Sequence, residues 1–171
     1  MILRCYKPAW NDRRVSLENV LRVNSDGQGH ATLCSIEPDG RQVREVVPVE
    51  SLGDDLIGVA GSPGMVMGCA AGDVLRLEPD GRFSIERRGP NECVQAYANP
   101  PFTSDAIDAL AQAFESSGGL VETPAHRKFL VLTVQTSVGR EVIAERLSAW
   151  VTQCGQAEWQ FGTLAVDEDD A

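Results

Sequence analysis

Short apolar runs dominate the first ninety residues, and glycine, proline or aspartate interrupts them every few positions. Apart from a weak helical possibility near residues 17–22, none of these runs has helical spacing. Short runs between turn-forming residues are typical of strands in a small β-barrel or sandwich. Strands are therefore predicted at residues 20–23, 31–36, 43–49, 65–67, 74–77 and 83–87.

The pentapeptide Glu-Pro-Asp-Gly-Arg occurs twice, at residues 37–41 and 78–82, each time between two predicted strands. Proline fixes φ, aspartate can bond its own backbone, and glycine tolerates positive φ, so the motif predicts a tight hairpin. A duplicated binding site is the alternative. A carboxylate at an exposed hairpin tip, however, is expected to have nothing that desolvates it or shifts its pKa. Two structural turns are therefore the favoured interpretation.

From residue 92 the pattern changes to strands that alternate with helices. A strand at residues 92–98 ends before two prolines, and Thr103 or Ser104 can cap the helix that follows. A second helix is predicted to begin at Ser137 and to end at Gly155. Further strands are predicted at residues 120–123, 129–134 and 158–166. The apolar stripes of the two helices are Ile107, Leu110, Ala111 and Phe114, then Ile143, Leu147, Trp150, Val151 and Cys154.

The resulting order, β-α-β-β-α-β, is the split βαβ or ferredoxin-like arrangement. Two helices are expected to cover one face of a four-stranded antiparallel sheet, and the other face is expected to contact the N-terminal module or a partner. The chain is therefore predicted to be an α+β protein. Its parts are a mainly β module at residues 1–90, a small barrel or sandwich, then a ferredoxin-like module at residues 91–166 and an acidic disordered tail at residues 167–171.

The net charge of −10 is concentrated towards the C-terminus, because residues 101–171 contain four basic and eleven acidic residues. Such a field repels phosphate backbones and anionic lipid, so neither nucleic acid nor a membrane surface is expected as a partner. A basic protein would be attracted. A role in solubility explains the same charge.

The cysteines are odd in number and lack Cys-x-x-Cys spacing, which predicts neither a zinc site nor a disulfide framework. A reduced, cytoplasmic chain is expected. The N-terminal apolar run is too short for a signal peptide. Residues 56–72 carry no charged side chain and approach the length needed to span a membrane. They contain a proline and five glycines, however, so a buried loop and strand are favoured over a membrane helix. The cysteines are Cys5, Cys34, Cys69, Cys93 and Cys154.

Few side chains are placed for catalysis, and the sequence predicts no catalytic residue, metal or other cofactor. His30 and His126 lie in loops or turns and are expected at the surface. Cys69 lies between Gly68 and Gly72, but the nucleophile elbow needs its nucleophile midway between two glycines and before a helix. The four adjacent carboxylates at residues 167–170 have no fixed geometry for a cation.

The placed elements resemble a bacterial family catalogued as domain of unknown function 4265. The similar segments are GSPGMVMGCAAGDVLRLEPDGRFSIERRGPNECVQAYA at residues 61–98, SGGLVETPAHRKFLVLTVQ at residues 117–135 and AEWQFGTLA at residues 157–165. The resemblance covers roughly residues 50–166. Its motifs form turns and strands, so it implies no activity, and no functional residue is carried over from the family.

Two functions from different classes follow from these observations. The first is a non-enzymatic acidic binding protein, most concretely an immunity protein that neutralises a bacterial toxin by direct binding. The alternative is a small-ligand sensor or hydrolase with a site between the two modules, which would use Cys69, His30 or Arg88. For the first, the residues predicted to bind the basic partner are the outward positions of the helices, Asp105, Asp108, Glu115, Glu141 and Glu145.

Overall fold

The computed structural model describes residues 20–164, which form two antiparallel sheets and two α-helices. The α+β class is confirmed. Predictions for residues 1–19 and 165–171, including Cys5, residues 165 and 166 of the last predicted strand and the acidic tail, lie outside the described residues. Within the described residues the last strand ends at Phe161, earlier than predicted.

The first sheet contains six strands that pair in chain order. The apolar runs correctly predict most of these strands, but residues 65–67 belong to a loop, and the fourth strand was not predicted as a separate element. The order in the sheet is β1-β2-β3-β4-β5-β6. The strands are β1 (Leu21–Val23), β2 (Gln28–Ile36), β3 (Gln42–Gly53), β4 (Leu56–Val59), β5 (Val74–Leu77) and β6 (Phe83–Arg87).

This sheet is curled but open, so a closed barrel is wrong for the described residues, in which β1 and β6 are the two edges. The turn between β5 and β6 nevertheless reaches back to β2, because the Gly81 carbonyl accepts a hydrogen bond from the Cys34 backbone N–H at 2.7 Å. The curl encloses one buried apolar cluster, which includes Leu33, Ile57 and Leu75.

Both copies of the pentapeptide form the same hairpin turn, as predicted. In the first, the Glu37 N–H donates to the Arg41 carbonyl at 2.8 Å, and Asp39 accepts the backbone N–H of Arg41 at 3.0 Å. In the second, the Glu78 N–H donates to the Arg82 carbonyl at 2.8 Å, and Asp80 accepts the backbone N–H of Arg82 at 3.0 Å. Each turn thus satisfies its own polar groups.

The expectation that nothing shifts the pKa of these aspartates is wrong. The Arg41 backbone N–H, with its guanidinium, lowers the pKa of Asp39 below the ordinary value. Slight burial acts to raise the pKa of Asp80, but the hydrogen bonds from Arg82 outweigh it and the pKa is lowered. Both shifts arise inside the turn, which agrees with a structural role.

The second sheet contains four strands in the order β10-β7-β9-β8, with neighbours antiparallel. The predicted order β-α-β-β-α-β is observed over residues 91–161. A separate apolar cluster between this sheet and the helices includes Val94, Leu110, Leu132 and Leu147. The elements are β7 (Asn91–Ala98), α1 (Ser104–Glu115), β8 (Leu120–Glu122), β9 (Phe129–Gln135), α2 (Arg140–Cys154) and β10 (Ala157–Phe161).

The helices begin differently. Thr103 caps α1, where its side chain accepts the Ala106 N–H at 3.2 Å, as predicted. The prediction that α2 begins at Ser137 is wrong. Thr136–Val138 is a 3₁₀ turn, and Gly139, with φ of 84°, precedes the first residue of the helix.

The two helices run antiparallel on the same face of the second sheet. Trp150 donates its indole N–H to the Ala106 carbonyl at 2.8 Å, and Arg146 donates to the Ala113 carbonyl at 3.0 Å. The end of α1 therefore lies beside the start of α2.

Within residues 20–164, no helix has the length and apolar character needed to cross a bilayer. The uncharged stretch at residues 56–72 forms β4 and then a largely buried loop, in agreement with its prediction.

Candidate functional site

The loop between β4 and β5 covers the face of the second sheet that the helices leave open. We call residues 60–72 the bridging segment. Pro63, Gly64 and Val66 are buried in it. At the far end of β10, the Gly68 N–H donates to the Gly162 carbonyl and the Gly162 N–H donates to the Cys93 carbonyl, both at 2.7 Å. The first module thus reaches the second through its own backbone.

Gln95 of β7 lies at the centre of this contact and is 0% exposed. Its Nε2 donates to the carbonyls of Pro63 and Val66, both at 3.1 Å. Its Oε1 accepts from Gln160 Nε2 at 3.1 Å, and the Tyr97 hydroxyl shares its one proton between this oxygen and the Gly64 carbonyl, each at 3.0 Å. An amide offers two donors and two acceptor lone pairs, so every hydrogen-bonding position of this side chain is used.

Glu45 of β3 holds the bridging segment from the other side. Its carboxylate accepts the backbone N–H groups of Gly64 at 2.8 Å, Met65 at 2.8 Å and Val66 at 3.1 Å. Three successive N–H groups around one carboxylate form an anion-binding concavity, and here the chain fills that concavity itself.

Replacement of Glu45 by alanine is expected to lower the free energy of unfolding by about 2 kcal/mol, because three N–H groups lose a charged acceptor. Urea unfolding measures the loss. Glu50→Ala is the matched control, since Glu50 is exposed on the same strand, and its expected effect is below about 0.5 kcal/mol. Equal losses in the two variants would contradict this role of Glu45.

The buried thiols are not activated. Cys69 and Cys93 are fully buried. Burial, the dominant cause, raises the pKa of Cys69 above its ordinary value and raises that of Cys93 to about 12. A nucleophilic thiol needs a lowered pKa and access, so Cys69 has neither property of a catalytic cysteine. The described cysteines, Cys34, Cys69, Cys93 and Cys154, are all free.

The two histidines are exposed, as predicted. His30 lies on β2 and pairs with Arg22 and Pro48 on the neighbouring strands. The Nδ1 of His126 accepts the Lys128 N–H at 3.1 Å in the turn before β9. Cys69 lies in the buried cluster of the first module. Neither Cys69 nor His30 lines the cleft at the junction of the two modules.

A cleft of about 710 Å³ opens where the two modules meet. We call it the junction cleft. The end of β2, the β5–β6 hairpin, the bridging segment and the chain after β10 form its walls. Its lining is mostly apolar, with a few charged groups. The lining includes Glu37, Met67, Glu78, Phe83, Arg88 and Leu164.

Arg88 is the one residue of the predicted inter-module site that lines the cleft. Its Nη1 donates to the Gly68 carbonyl at 2.8 Å and to Asp73 at 3.0 Å. Asp73 is 1% exposed and also accepts the N–H groups of Ala70 at 3.0 Å and Gly89 at 2.7 Å. A buried carboxylate that accepts three hydrogen bonds therefore fixes the position of this guanidinium.

The predicted partner-binding residues are all exposed on the helical layer, which we call the acidic helix face. None of them forms a salt bridge within the part of the chain that is described. Because the helices are antiparallel, one end of the face carries the acidic residues of the start of α1 and the other end carries the remaining three. The face consists of Asp105, Asp108, Glu115, Glu141 and Glu145.

The arginines of α2 are directed onto their own module. Arg140 donates to both carboxylate oxygens of Glu92 at 3.0 Å and lies 4.2 Å from the Phe161 ring centre. Arg146 donates a hydrogen bond to the Ala113 carbonyl of α1, and its guanidinium lies 5.5 Å from the Phe114 ring centre. Since α1 contains no basic residue, the helical layer presents mainly negative charge.

Among residues 20–164, no group of three or more His, Cys, Asp or Glu side chains is placed to hold a metal ion. The predicted absence of a site at residues 167–170 concerns residues outside that range.

The sequence profile of the family described as Domain of unknown function (DUF4265) matches residues 45–159. The chain belongs to this family. The resemblance expected from the sequence is therefore confirmed. The DUF4265 region begins at Glu45 and includes the bridging segment, Gln95 and both helices, but not the first pentapeptide hairpin. The contacts of Glu45 and Gln95 with the bridging segment thus lie within the family region, whereas Gln160 and Gly162 lie just beyond its end.

One solved structure similar to this DUF4265 chain is described as a novel crystal structure of a hypothetical protein from Neisseria gonorrhoeae. The similarity covers 85% of this chain and 100% of that chain, with a TM-score of 0.65 and 11% sequence identity. At this identity it shows a shared fold. No curated protein matches the chain.

Proposed function

We propose that this DUF4265 protein is a non-enzymatic binding protein that captures a basic protein through its acidic helix face. Its most concrete form is a cytoplasmic immunity protein that neutralises a bacterial toxin by direct binding. The observation that carries the proposal is the set of exposed carboxylates on two adjacent helices, without a salt bridge in the described chain.

Electrostatics gives this face a direct way to act. Exposed carboxylates attract a positively charged partner over roughly a Debye length, about 8 Å at physiological salt, and accelerate encounter. The same charge opposes nucleic acid and anionic lipid. The arginines that pack onto their own module leave the outward carboxylates available to the partner.

Charge reversal tests the face. We expect Asp108→Lys with Glu145→Lys to weaken capture of a basic partner by roughly tenfold or more at low salt, through slower association. These positions lie beyond the first helical turn, so the change does not remove the favourable interaction of a carboxylate with a helix N-terminus. The measurement is recovery of basic proteins from cell extract by the immobilised chain, followed by binding kinetics at two salt concentrations.

The matched control is Glu50→Lys with Glu158→Lys, which changes the net charge equally at exposed positions on strands. If the control loses as much capture as the helix variant, net charge acts without a defined face. Undiminished capture by the helix variant, with unchanged unfolding, rejects the acidic helix face. The immunity role is tested by growth of cells that express the product of a neighbouring reading frame, with and without this protein.

A second candidate is a sensor for a small ligand in the junction cleft. The position of Arg88 in that cleft supports it. The hydrolase form of this candidate receives no support from Cys69, whose thiol is buried with a raised pKa.

We also propose that the second module has the ferredoxin-like arrangement and folds as a unit distinct from the first. Two observations support this interpretation: the strand order β10-β7-β9-β8, with both helices packed into one cluster, and the separate apolar cluster inside the first sheet. Expression of residues 91–171 alone, followed by measurement of cooperative unfolding, tests the division.

A further inference from the structure

The junction cleft combines an apolar wall with one fixed cation. Phe83 and Ile85 of β6 and Met67 of the bridging segment are partly buried along it, and Leu164 is 62% exposed at its edge. An exposed leucine beside an apolar wall leaves surface that a ligand can remove from water, which favours binding.

Arg88 supplies a polar group of defined direction. Both of its hydrogen bonds to the protein use Nη1, and among residues 20–164 its Nε and Nη2 have no protein acceptor. Its side chain is 34% exposed. The Nε and Nη2 pair is one edge of the guanidinium fork, which matches the two oxygens of a carboxylate. Asp73 and the Gly68 carbonyl hold the opposite edge, so little rotamer freedom remains to be lost on binding.

The charges around the cleft limit the class of ligand. Glu37 and Glu78 also line it, and each forms an ion pair with the arginine of its own turn, Arg41 and Arg82. The charge of Arg88 is balanced by Asp73. Arg41 and Arg82 also pair with Asp39 and Asp80, so each turn keeps one net negative charge. The surroundings of the cleft are therefore negative, which disfavours a polyanion such as a nucleoside triphosphate. A ligand with one carboxylate, held at Arg88, and an apolar body meets much less of this repulsion.

We propose that the junction cleft binds a small amphipathic carboxylic acid of medium-chain fatty-acid size. The carboxylate accepts hydrogen bonds from Nε and Nη2 of Arg88, and the apolar body packs against Met67, Phe83 and Ile85. A cleft of about 710 Å³ is within the size range of small-molecule sites. This site is separate from the acidic helix face and does not depend on capture of a basic protein.

Decanoate and 1-decanol are the probes, since they share an apolar chain and differ in the head group. We expect decanoate to bind the full chain at least tenfold more tightly than decanol by calorimetry. In ¹H–¹⁵N spectra, decanoate but not decanol should shift the Arg88 Nε–H resonance. Equal affinity for the two probes, or no binding of decanoate up to millimolar concentration, overturns the proposal.

Leu164→Asp and Leu164→Asn form a matched pair of variants at an exposed position that tolerates change. Both remove the same apolar surface, but only aspartate adds a negative charge to the lining of the cleft, where it repels a bound carboxylate. We expect decanoate to bind the Asp variant about fivefold more weakly than the Asn variant, and decanol to bind both equally. If decanoate binds both equally as well, its carboxylate lies elsewhere. Failure of this pair leaves the charge-reversal test of the helix face unaffected.

Arg88→Met provides the second variant, with Arg76→Met as its control. Arg76 is exposed on β5 and pairs with Glu86, away from the cleft lining. We expect Arg88→Met to lose at least tenfold in decanoate affinity and Arg76→Met to lose none. Since Arg88→Met also removes the partner of buried Asp73, the Leu164 pair decides the proposal if this variant does not fold.

Discussion

Gly81→Ala is expected to lower the free energy of unfolding by about 3 kcal/mol, whereas Gly40→Ala is expected to lower it by about 1 kcal/mol. Both glycines hold the fourth position of the same pentapeptide, with φ of 91° and 81°. A Cβ at Gly40 has no atom within 4 Å. A Cβ at Gly81 lies 2.5 Å from the Thr32 carbonyl oxygen and 3.5 Å from Cys34 Cβ. The difference between the variants therefore reports a contact rather than backbone strain.

The contact at Gly81 joins the β5–β6 turn to β2 across the curled first sheet. Relief of the clash moves the turn away from β2 and breaks the bond from the Cys34 N–H to the Gly81 carbonyl. Urea unfolding of both variants gives the two losses, and hydrogen exchange at the Cys34 amide reports the curl directly. We expect faster exchange in Gly81→Ala alone. Similar losses and similar exchange in both variants would refute the distinction.

The two pentapeptides also show what the sequence can and cannot predict. Proline, aspartate and glycine determine the turn locally, so both hairpins follow from five residues. The packing of the second turn on β2 depends on the curl of the sheet, which no five-residue pattern encodes. The pKa shifts of Asp39 and Asp80 come from bonds inside the turn and were missed because exposure alone was considered.

The helices were predictable for a similar reason. Their apolar stripes fix which side faces the sheet, and the outward carboxylates are exposed as a consequence. The start of α2 was not predictable from the serine, since Gly139 adopts positive φ and the 3₁₀ turn precedes it. Strand β4 follows a bulge in β3 and is only four residues long. Its short apolar run could therefore not be distinguished in the sequence from the apolar loop that follows it.

The contacts between the modules were missed because they link positions far apart in sequence. Glu45 and Gly64 are 19 residues apart, and Gln95 and Pro63 are 32 apart. The sequence contains one sign of these contacts. Gln95 stands between the apolar Val94 and Ala96 in a predicted strand, and a buried amide there requires hydrogen-bonding partners on the face opposite the helices. The carbonyl groups of the bridging segment are those partners.

Gln95→Leu is expected to lower the free energy of unfolding by about 3 kcal/mol, although leucine has nearly the same volume. The variant leaves the Pro63 and Val66 carbonyls without the amide donor and removes the acceptor of Gln160 Nε2. The Tyr97 hydroxyl keeps the Gly64 carbonyl as its acceptor. These groups are buried or partly buried, so water replaces the lost bonds poorly. The measurement is the urea midpoint together with the slope of the transition.

Gln135→Leu is the matched control, because Gln135 lies on the neighbouring strand and is exposed; its expected loss is below about 0.5 kcal/mol. If Gln95 joins the modules into one cooperative unit, Gln95→Leu also lowers the slope of the transition, as the first module loosens before the second unfolds. A loss under about 1 kcal/mol with an unchanged slope would mean that the amide network does not couple them. The junction cleft is built on the same bridging segment, so decanoate affinity should fall in Gln95→Leu and remain in Gln135→Leu.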